Sequence, residues 1–418
     1  MLVMGGVMAA LVTMSACATE PIHESAFERA PLRSGWIAEA GHNSMDPPLG
    51  WQPAADGEPA HVFMQRGGTW KSPLWRHGAE QYLAVKTLAK LDEPTVWHID
   101  GFTAQGLRHT ADHYATLDPT IEATRKPVAG DEAKGQWAWY TMMVRPRHGS
   151  AASRWSVHGP RQSTARVAAM KVDEASDQQV LAWADSVYAA LTPVTYDPPA
   201  DRWRLLPRTR GALESGRPLR IVLLGDSIAN DTGNSPLSLL LERAWPGSAI
   251  TIINSIRGST GCQYYQKNNR VKPYVFGHNP DLLILAGISH GFDEKAMASV
   301  IDQVRAGSEN PPEIIVSTGA VAKDPREEKA MRDLLKYKMG RTPTDKQVQH
   351  ALGFFDRVEA MAAAKGVAFF DVRDAWEKHV ASSGRPVSEF RRDYLHANTR
   401  GRAVLSRLWL RYLGPDAP

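Results

Sequence analysis

The sequence predicts a two-part chain: a mainly β, sandwich-like region, then an α/β unit built on a parallel five-stranded sheet with flanking helices. Two rhythms carry that expectation. From Leu219 onward, short apolar runs alternate with stretches of helical periodicity, the pattern of strands joined by right-handed crossovers. Between His61 and Pro193, strand-like segments follow one another with turn residues between them and no long helix until the end, as in a β-sandwich. Tryptophan usage points the same way, since ten of the 13 lie at or before Trp203.

Composition sets the outer bounds. A chain of 418 residues has room for two or three domains and a sizeable core. Apolar residues make up 43% and charged residues 22%, as in an ordinary globular protein. A net charge of +4, from 49 basic and 45 acidic residues, is too small to predict a nucleic-acid partner. Cys17 and Cys262 are the two cysteines, so no disulfide framework exists, and Cys262 reads as a buried bystander thiol.

In chain order, Met1 to Ala16 is uncharged and apolar but short for a membrane span. Residues 1–18 are expected to be an export signal, although a basic start is missing. Met14-Ser15-Ala16-Cys17 resembles a bacterial lipoprotein box in which Cys17 is acylated, while Ala16-Cys17-Ala18 also satisfies ordinary signal cleavage. A periplasmic, outer-membrane-anchored or secreted protein is expected, with the choice between lipid anchor and simple cleavage left open. Residues 19–60 are rich in Pro, Gly, Ala and Glu and read as a linker or draping segment.

Residues 61–200 are expected to form the sandwich-like accessory domain, with strands at Tyr82 to Lys86, Thr95 to Ile99, Gln136 to Arg145 and Ala165 to Val172. In the third, Trp137, Trp139, Thr141 and Met143 share one face and Ala138, Tyr140, Met142 and Val144 the other. Trp70, Trp75, Trp137 and Trp139 read as core filling in preference to a sugar-stacking surface. Asp177 to Leu191 has helical spacing, and residues 201–216 form an ordered connector.

Residues 217–418 hold the alternating elements: strands at Ile221 to Leu224, Ala249 to Ile253, Leu282 to Leu285, Ile314 to Val316 and Val367 to Phe370. Helices are expected after Ser235-Pro236, read as an N-cap followed by Pro, after Asp293, around Val348 to Val358, and at the C-terminus around Val404 to Tyr412.

Chemistry concentrates where these strands end. Gly225-Asp226-Ser227 follows the first strand, the place where open α/β sheets bind ligands. A serine nucleophile needs a base, an acid to orient that base, and donors for the oxyanion. Asp393 and His396 lie three residues apart on one loop before the last helix, close enough for the carboxylate to set the imidazole tautomer. Gly258 lies in the loop after the second strand, and Gly287-Ile288-Ser289-His290 follows the third.

Together these residues resemble the SGNH (GDSL-like) hydrolase family, over roughly Leu219 to Leu413 and in the family's order. The resemblance implies a flavodoxin-like SGNH fold with Ser227 as nucleophile, His396 as general base and then acid, and Asp393 as its orienting partner. It also implies that the Ser227 and Gly258 N–H groups serve the oxyanion. The third block departs from the family, because Gly-x-Asn-Asp is replaced and the Asn donor is absent. Ser289 or His290 is the candidate replacement; losing one such donor costs about 3–4 kcal/mol of barrier. Arg257, beside Gly258, is the candidate substrate-binding residue, either contacting an acidic sugar or pairing with a nearby carboxylate.

The α/β-hydrolase elbow Gly-x-Ser-x-Gly is excluded, because Ala229 stands where its second Gly belongs. No Cys-x-x-Cys, His-Glu-x-x-His or Gly-Lys-Ser/Thr motif is present, so neither metal nor cofactor is expected. A β-sandwich before an SGNH unit is similar to two-domain carbohydrate esterases that remove acetyl groups. The expected function is an exported serine esterase acting on O-acyl, chiefly O-acetyl, groups of a carbohydrate. The alternatives are an O-acyltransferase on the same triad and a glycan-binding protein with an inactive SGNH domain. The oligomeric state is not legible.

Overall fold

A computed structural model describes the chain apart from residues 1–22, 28–35, 41–48, 56–57, 66–67, 79–80, 106–112, 129–135, 161–162, 288–292, 321–327, 394 and 417–418. Cys17, Ser289 and His290 therefore lie outside the described residues.

The C-terminal sheet is parallel throughout, in the order Ile250–Ile256, Leu219–Gly225, Leu282–Ala286, Glu313–Ser317, Ala368–Phe370. Its apolar runs are continuous because helices cover both faces. Ile221 and Leu223 enter one core with Leu237, Leu241, Val404 and Leu408. Val222 and Leu224 enter the other with Met297, Val300, Val304 and Val358. Each fully buried aliphatic side chain contributes about 1.5–3 kcal/mol. The chain adds its second strand on one side of Leu219–Gly225 and its third, Leu282–Ala286, on the other, and a ligand crevice opens above such a switch point.

Two antiparallel sheets precede this unit. The seven-stranded sheet runs Arg125–Pro127, Trp137–Val144, Tyr82–Lys90, Ala165–Ala175, His61–Met64, Leu49–Gln52, with His23–Ala26 also paired to Ala165–Ala175. The six-stranded sheet runs Ile37–Ala40, Gly68–Lys71, Ala152–His158, Thr95–Phe102, His113–Leu117, with Trp75–Arg76 on Ala152–His158. Met64, Val85, Tyr140 and Met142 from the first sheet share one core with Trp70, Trp97, Trp155 and Val157 from the second. Alternation in Thr95–Phe102, buried at every odd position, is the period-2 signature of such packing.

Three expectations need correction. Residues 19–60, expected as a linker, supply the strands His23–Ala26, Ile37–Ala40 and Leu49–Gln52. Each is four residues long, too short for alternation to register, and is held by pairing with distant strands. Ser235 does not cap a helix. Ser227–Gly233 is itself helical, Ser235 Oγ donates back to Thr232 O, and the next helix is Leu237–Ala244 with Pro236 at its cap. Trp139 is half-buried and outside the sandwich core, unlike Trp70 and Trp75, while Trp137 is buried edge-on to His61 at 5.5 Å. The core-facing side of Trp137–Val144 is the Ala138, Tyr140, Met142, Val144 face.

The two parts meet through Asp177–Ala189, capped by a reciprocal Ser176–Gln179 box. Its Val187, with Leu191, joins the core that holds Trp203, Leu206 and Leu213 of the connector and Leu408 of the last helix. No helix of the described residues is long and apolar enough to cross a membrane.

Candidate active site

The loop from Gly225 to Ser227 is shaped by close packing. A Cβ at Gly225 would collide with Ala286 O on the neighbouring strand. Asp226 then caps the helix Ser227–Gly233 by accepting the Ile228 N–H at 2.9 Å. Gly287, which ends the next strand, has φ +111°, and a Cβ there would collide with the Asp226 carboxylate, so only glycine fits. Ser227 consequently opens a helix, and its backbone N–H has no intrahelical partner.

The loop carrying Asp393 and His396 is fastened from both ends. Arg391 and Ala397 form a β-bridge, and Asn398 caps the last helix by accepting the Gly401 N–H at 3.0 Å. The Asn398 amide also donates to Glu389 O at 2.8 Å. Within this turn Asp393 Oδ1 accepts the N–H groups of Leu395 and His396 at 2.8 and 3.0 Å.

These two segments, 169 residues apart, bring the side chains into one line. His396 Nε2 lies 2.8 Å from Ser227 Oγ, and His396 Nδ1 lies 2.9 and 2.8 Å from the two Asp393 oxygens. A carboxylate at Nδ1 places the ring proton there and leaves Nε2 to accept from the serine hydroxyl. Burial alone would raise the Asp393 carboxyl. The hydrogen bond and charge of His396, the Arg392 guanidinium and the Leu395 N–H outweigh it and hold the group well below the usual carboxylate range.

Behind the line sits a buried ion cluster absent from the sequence reading. Asp231, one helical turn after Ser227, is 1% exposed and receives Arg392 Nη1 at 2.9 Å and Arg402 Nη2 at 3.1 Å. Its other oxygen accepts the Ala397 N–H at 2.8 Å. Arg392 reaches on toward Asp393 at 3.5 Å, and its guanidinium lies 4.6 Å from the ring centre of Tyr114, a residue of the sandwich. Asp231 could have been suspected from its i+4 spacing to Ser227, had the serine been placed on a helix. Nothing local marks Tyr114.

On the opposite rim, Arg257 N–H is shared between Gly225 O at 3.3 Å and the Tyr265 hydroxyl at 3.0 Å. Tyr265 in turn donates to Gly225 O at 2.7 Å, so a fully buried phenol joins the serine strand to the loop carrying Gly258. Gly258 is exposed, and a Cβ there would meet nothing within 4 Å. Arg257 is exposed as well, and its Nη1 donates to the Tyr264 hydroxyl at 2.7 Å. Cys262 is fully buried, and burial pushes its thiol far up, which keeps it inert.

A serine hydrogen-bonded to an oriented imidazole, at the carboxyl end of a parallel strand, is an arrangement in which the hydroxyl can act as a nucleophile with the imidazole as its base. No protein-family model matches the chain. No curated protein matches it either. A two-domain esterase active on acetylated mannans is similar at 17% identity over 52% of this chain and 57% of its own, with a TM-score of 0.38. The chain thus spans just over half the length of that enzyme. An alpha/beta hydrolase from the metagenome of Lake Arreo, Spain, is 16% identical over 47% of this chain and 94% of its own, with a TM-score of 0.36. A catalytic mutant of an acetylxylan esterase from Geobacillus stearothermophilus is 15% identical over 47% and 95%, with a TM-score of 0.36.

Proposed function

We propose that this protein is a serine esterase that removes O-acyl, chiefly O-acetyl, groups from a carbohydrate. The observation carrying this reading is the unbroken hydrogen-bonded line Ser227–His396–Asp393. Ser227 Oγ attacks the ester carbonyl while His396 Nε2 takes its proton. The oxyanion is met by the N–H groups of Ser227 and Gly258, with Ser289 or His290 in the place of the family's Asn. Collapse of this intermediate breaks the bond to the alcohol, which leaves with the proton from His396. Water, deprotonated by His396, then attacks the acyl-enzyme and releases the carboxylic acid and free Ser227. Asp393 holds the imidazole and balances its charge throughout.

The carbohydrate part of the reading rests on the SGNH-like motif order behind a β-sandwich, and Arg257 is assigned to the substrate side of the site. Export belongs to the same reading, with residues 1–18 removed and Cys17 the site of lipidation if an anchor is attached. Mass spectrometry of the mature N-terminus tests export, and an intact Met1 would sink it.

Acetate release from acetylated glycans and covalent labelling by a fluorophosphonate test the enzyme reading. Both are expected to vanish in Ser227→Ala. Hydrolysis that survives this substitution removes the triad. Transfer of acetyl to a sugar acceptor in preference to water makes the protein an acyltransferase instead.

A further inference from the structure

From Arg257 to Pro280 the chain carries Arg257, Lys267, Arg270 and Lys272 and no Asp or Glu. That segment's charge equals the net +4 of the whole chain, so the remainder balances to zero. The segment begins beside the serine strand, where Arg257 N–H meets Gly225 O.

The two arginines there are held ready. Tyr264 has the Arg270 guanidinium 3.7 Å from its ring centre and that of Arg257 at 4.6 Å. Arg257 Nη1 is anchored on the Tyr264 hydroxyl at 2.7 Å, and Arg270 Nη1 on Tyr264 O at 3.0 Å. Several arginines elsewhere in the fold are spent on carboxylates, Arg243 and Arg407 on Asp185, Arg392 and Arg402 on Asp231, Arg332 on Glu328 and Asp345, while Arg305 is spent on the carbonyls of Lys365 and Gly366. Among the described residues, neither Arg257 nor Arg270 has a carboxylate partner.

The geometry points to an anion on the substrate as the missing partner. We propose that the acyl-bearing substrate is an acidic glycan whose carboxylate or sulfate is received by Arg257 and Arg270. A planar guanidinium held on an aromatic ring loses little freedom on binding and offers paired donors to such a group. Assigning the anion to an acylated sugar rests on the esterase reading above; the anion site itself does not.

The test separates the two. Binding to the Ser227→Ala protein is measured by calorimetry with oligogalacturonate, a sulfated oligosaccharide and a neutral xylo-oligosaccharide. At least one acidic ligand is expected to bind roughly tenfold or more tightly than the neutral one. The preference should weaken with added salt and collapse in Arg257→Gln and Arg270→Gln. Preference for uronate alone identifies a carboxylate, and equal binding of both acidic ligands identifies charge. With the unmutated enzyme, acetylated oligogalacturonate should show the lower KM against acetylated xylo-oligosaccharide. Equal binding of acidic and neutral ligands, or an acidic preference that survives in both variants, overturns the inference. Acidic binding without acetate release from any ester would sink the esterase reading and leave the anion site standing.

Discussion

Asp231 Oδ2 accepts the Ala397 N–H at 2.8 Å, which ties the turn holding His396 to the helix opened by Ser227. Ser227 and His396 are thus held in register by a buried carboxylate that hydrogen-bonds the backbone beside His396. Two arginines complete the cluster, and all three charged groups are buried or nearly so.

Removing one member of such a cluster leaves uncompensated charge in the interior. Asp231→Ala is expected to cost about 3–5 kcal/mol of unfolding free energy in denaturant titrations. The surviving folded fraction should hydrolyse esters more slowly, through kcat and not KM. A loss below about 1 kcal/mol would show that the arginines find other partners.

Asp393→Asn keeps the shape of the orienting group and removes its charge. The expected fall in kcat is on the order of 10³–10⁴, because the amide can hold His396 in the wrong tautomer. The depressed Asp393 pKa also has a stability consequence. A carboxyl whose folded pKa lies below its unfolded value near 4 contributes stability that is complete above that value and lost as pH falls through the folded one. The stability difference between wild type and Asp393→Asn should therefore be flat above about pH 5 and shrink below about pH 4.

His158 also loses stability on acidification, but because the fold favours its neutral form. Burial, with the charges of His98 and Lys71, lowers it from 6.5 to about 4. Between those values the unfolded chain binds more protons, so stability falls as pH drops from about 6.5 toward 4, by up to about 1.4 kcal/mol per pH unit. His158→Gln should flatten this part of the stability curve. An unchanged slope would mean that His158 is reached by water.

Tyr265→Phe deletes the hydroxyl that bridges Gly225 O and Arg257 N–H. A destabilisation of about 1–3 kcal/mol is expected for the polar groups left behind. If the loop with Gly258 serves the oxyanion, kcat should fall as well; unchanged kinetics in a destabilised protein would confine Tyr265 to the fold.

Tyr114 places the sandwich in contact with the site by covering the Arg392 guanidinium at 4.6 Å. Tyr114→Ala should lower stability by about 1–2 kcal/mol and reduce kcat, while Tyr114→Phe, which keeps the ring face over Arg392, should cost less in both. A neutral Tyr114→Ala would mean that the sandwich only neighbours the α/β unit.

Residues whose signals are local were legible from the sequence. Ile221 to Leu224 is apolar at every position because helices cover both faces of its sheet, and Leu282 to Leu285 and Ile314 to Val316 show the same pattern. Ser227, Asp393 and His396 could be named because a strand end and a three-residue spacing are short-range features. The strands within 23–52 escaped notice because each is four residues long and owes its form to a partner strand elsewhere in the chain. Trp139 was misplaced for a related reason: alternation separates two faces without saying which one meets the opposite sheet.

The amino-acid pattern by itself determined the order of the two parts, the parallel sheet and the loops that hold the candidate site residues, because burial periodicity and turn residues act over a few positions. Only the tertiary structure decided that His396 reaches Ser227 across 169 residues, that Asp231 holds them in register, and that Tyr114 of the sandwich covers Arg392. Those relations depend on which buried charges find each other in the folded interior. There an unpaired carboxylate or guanidinium is too costly to persist, whatever its distance along the chain.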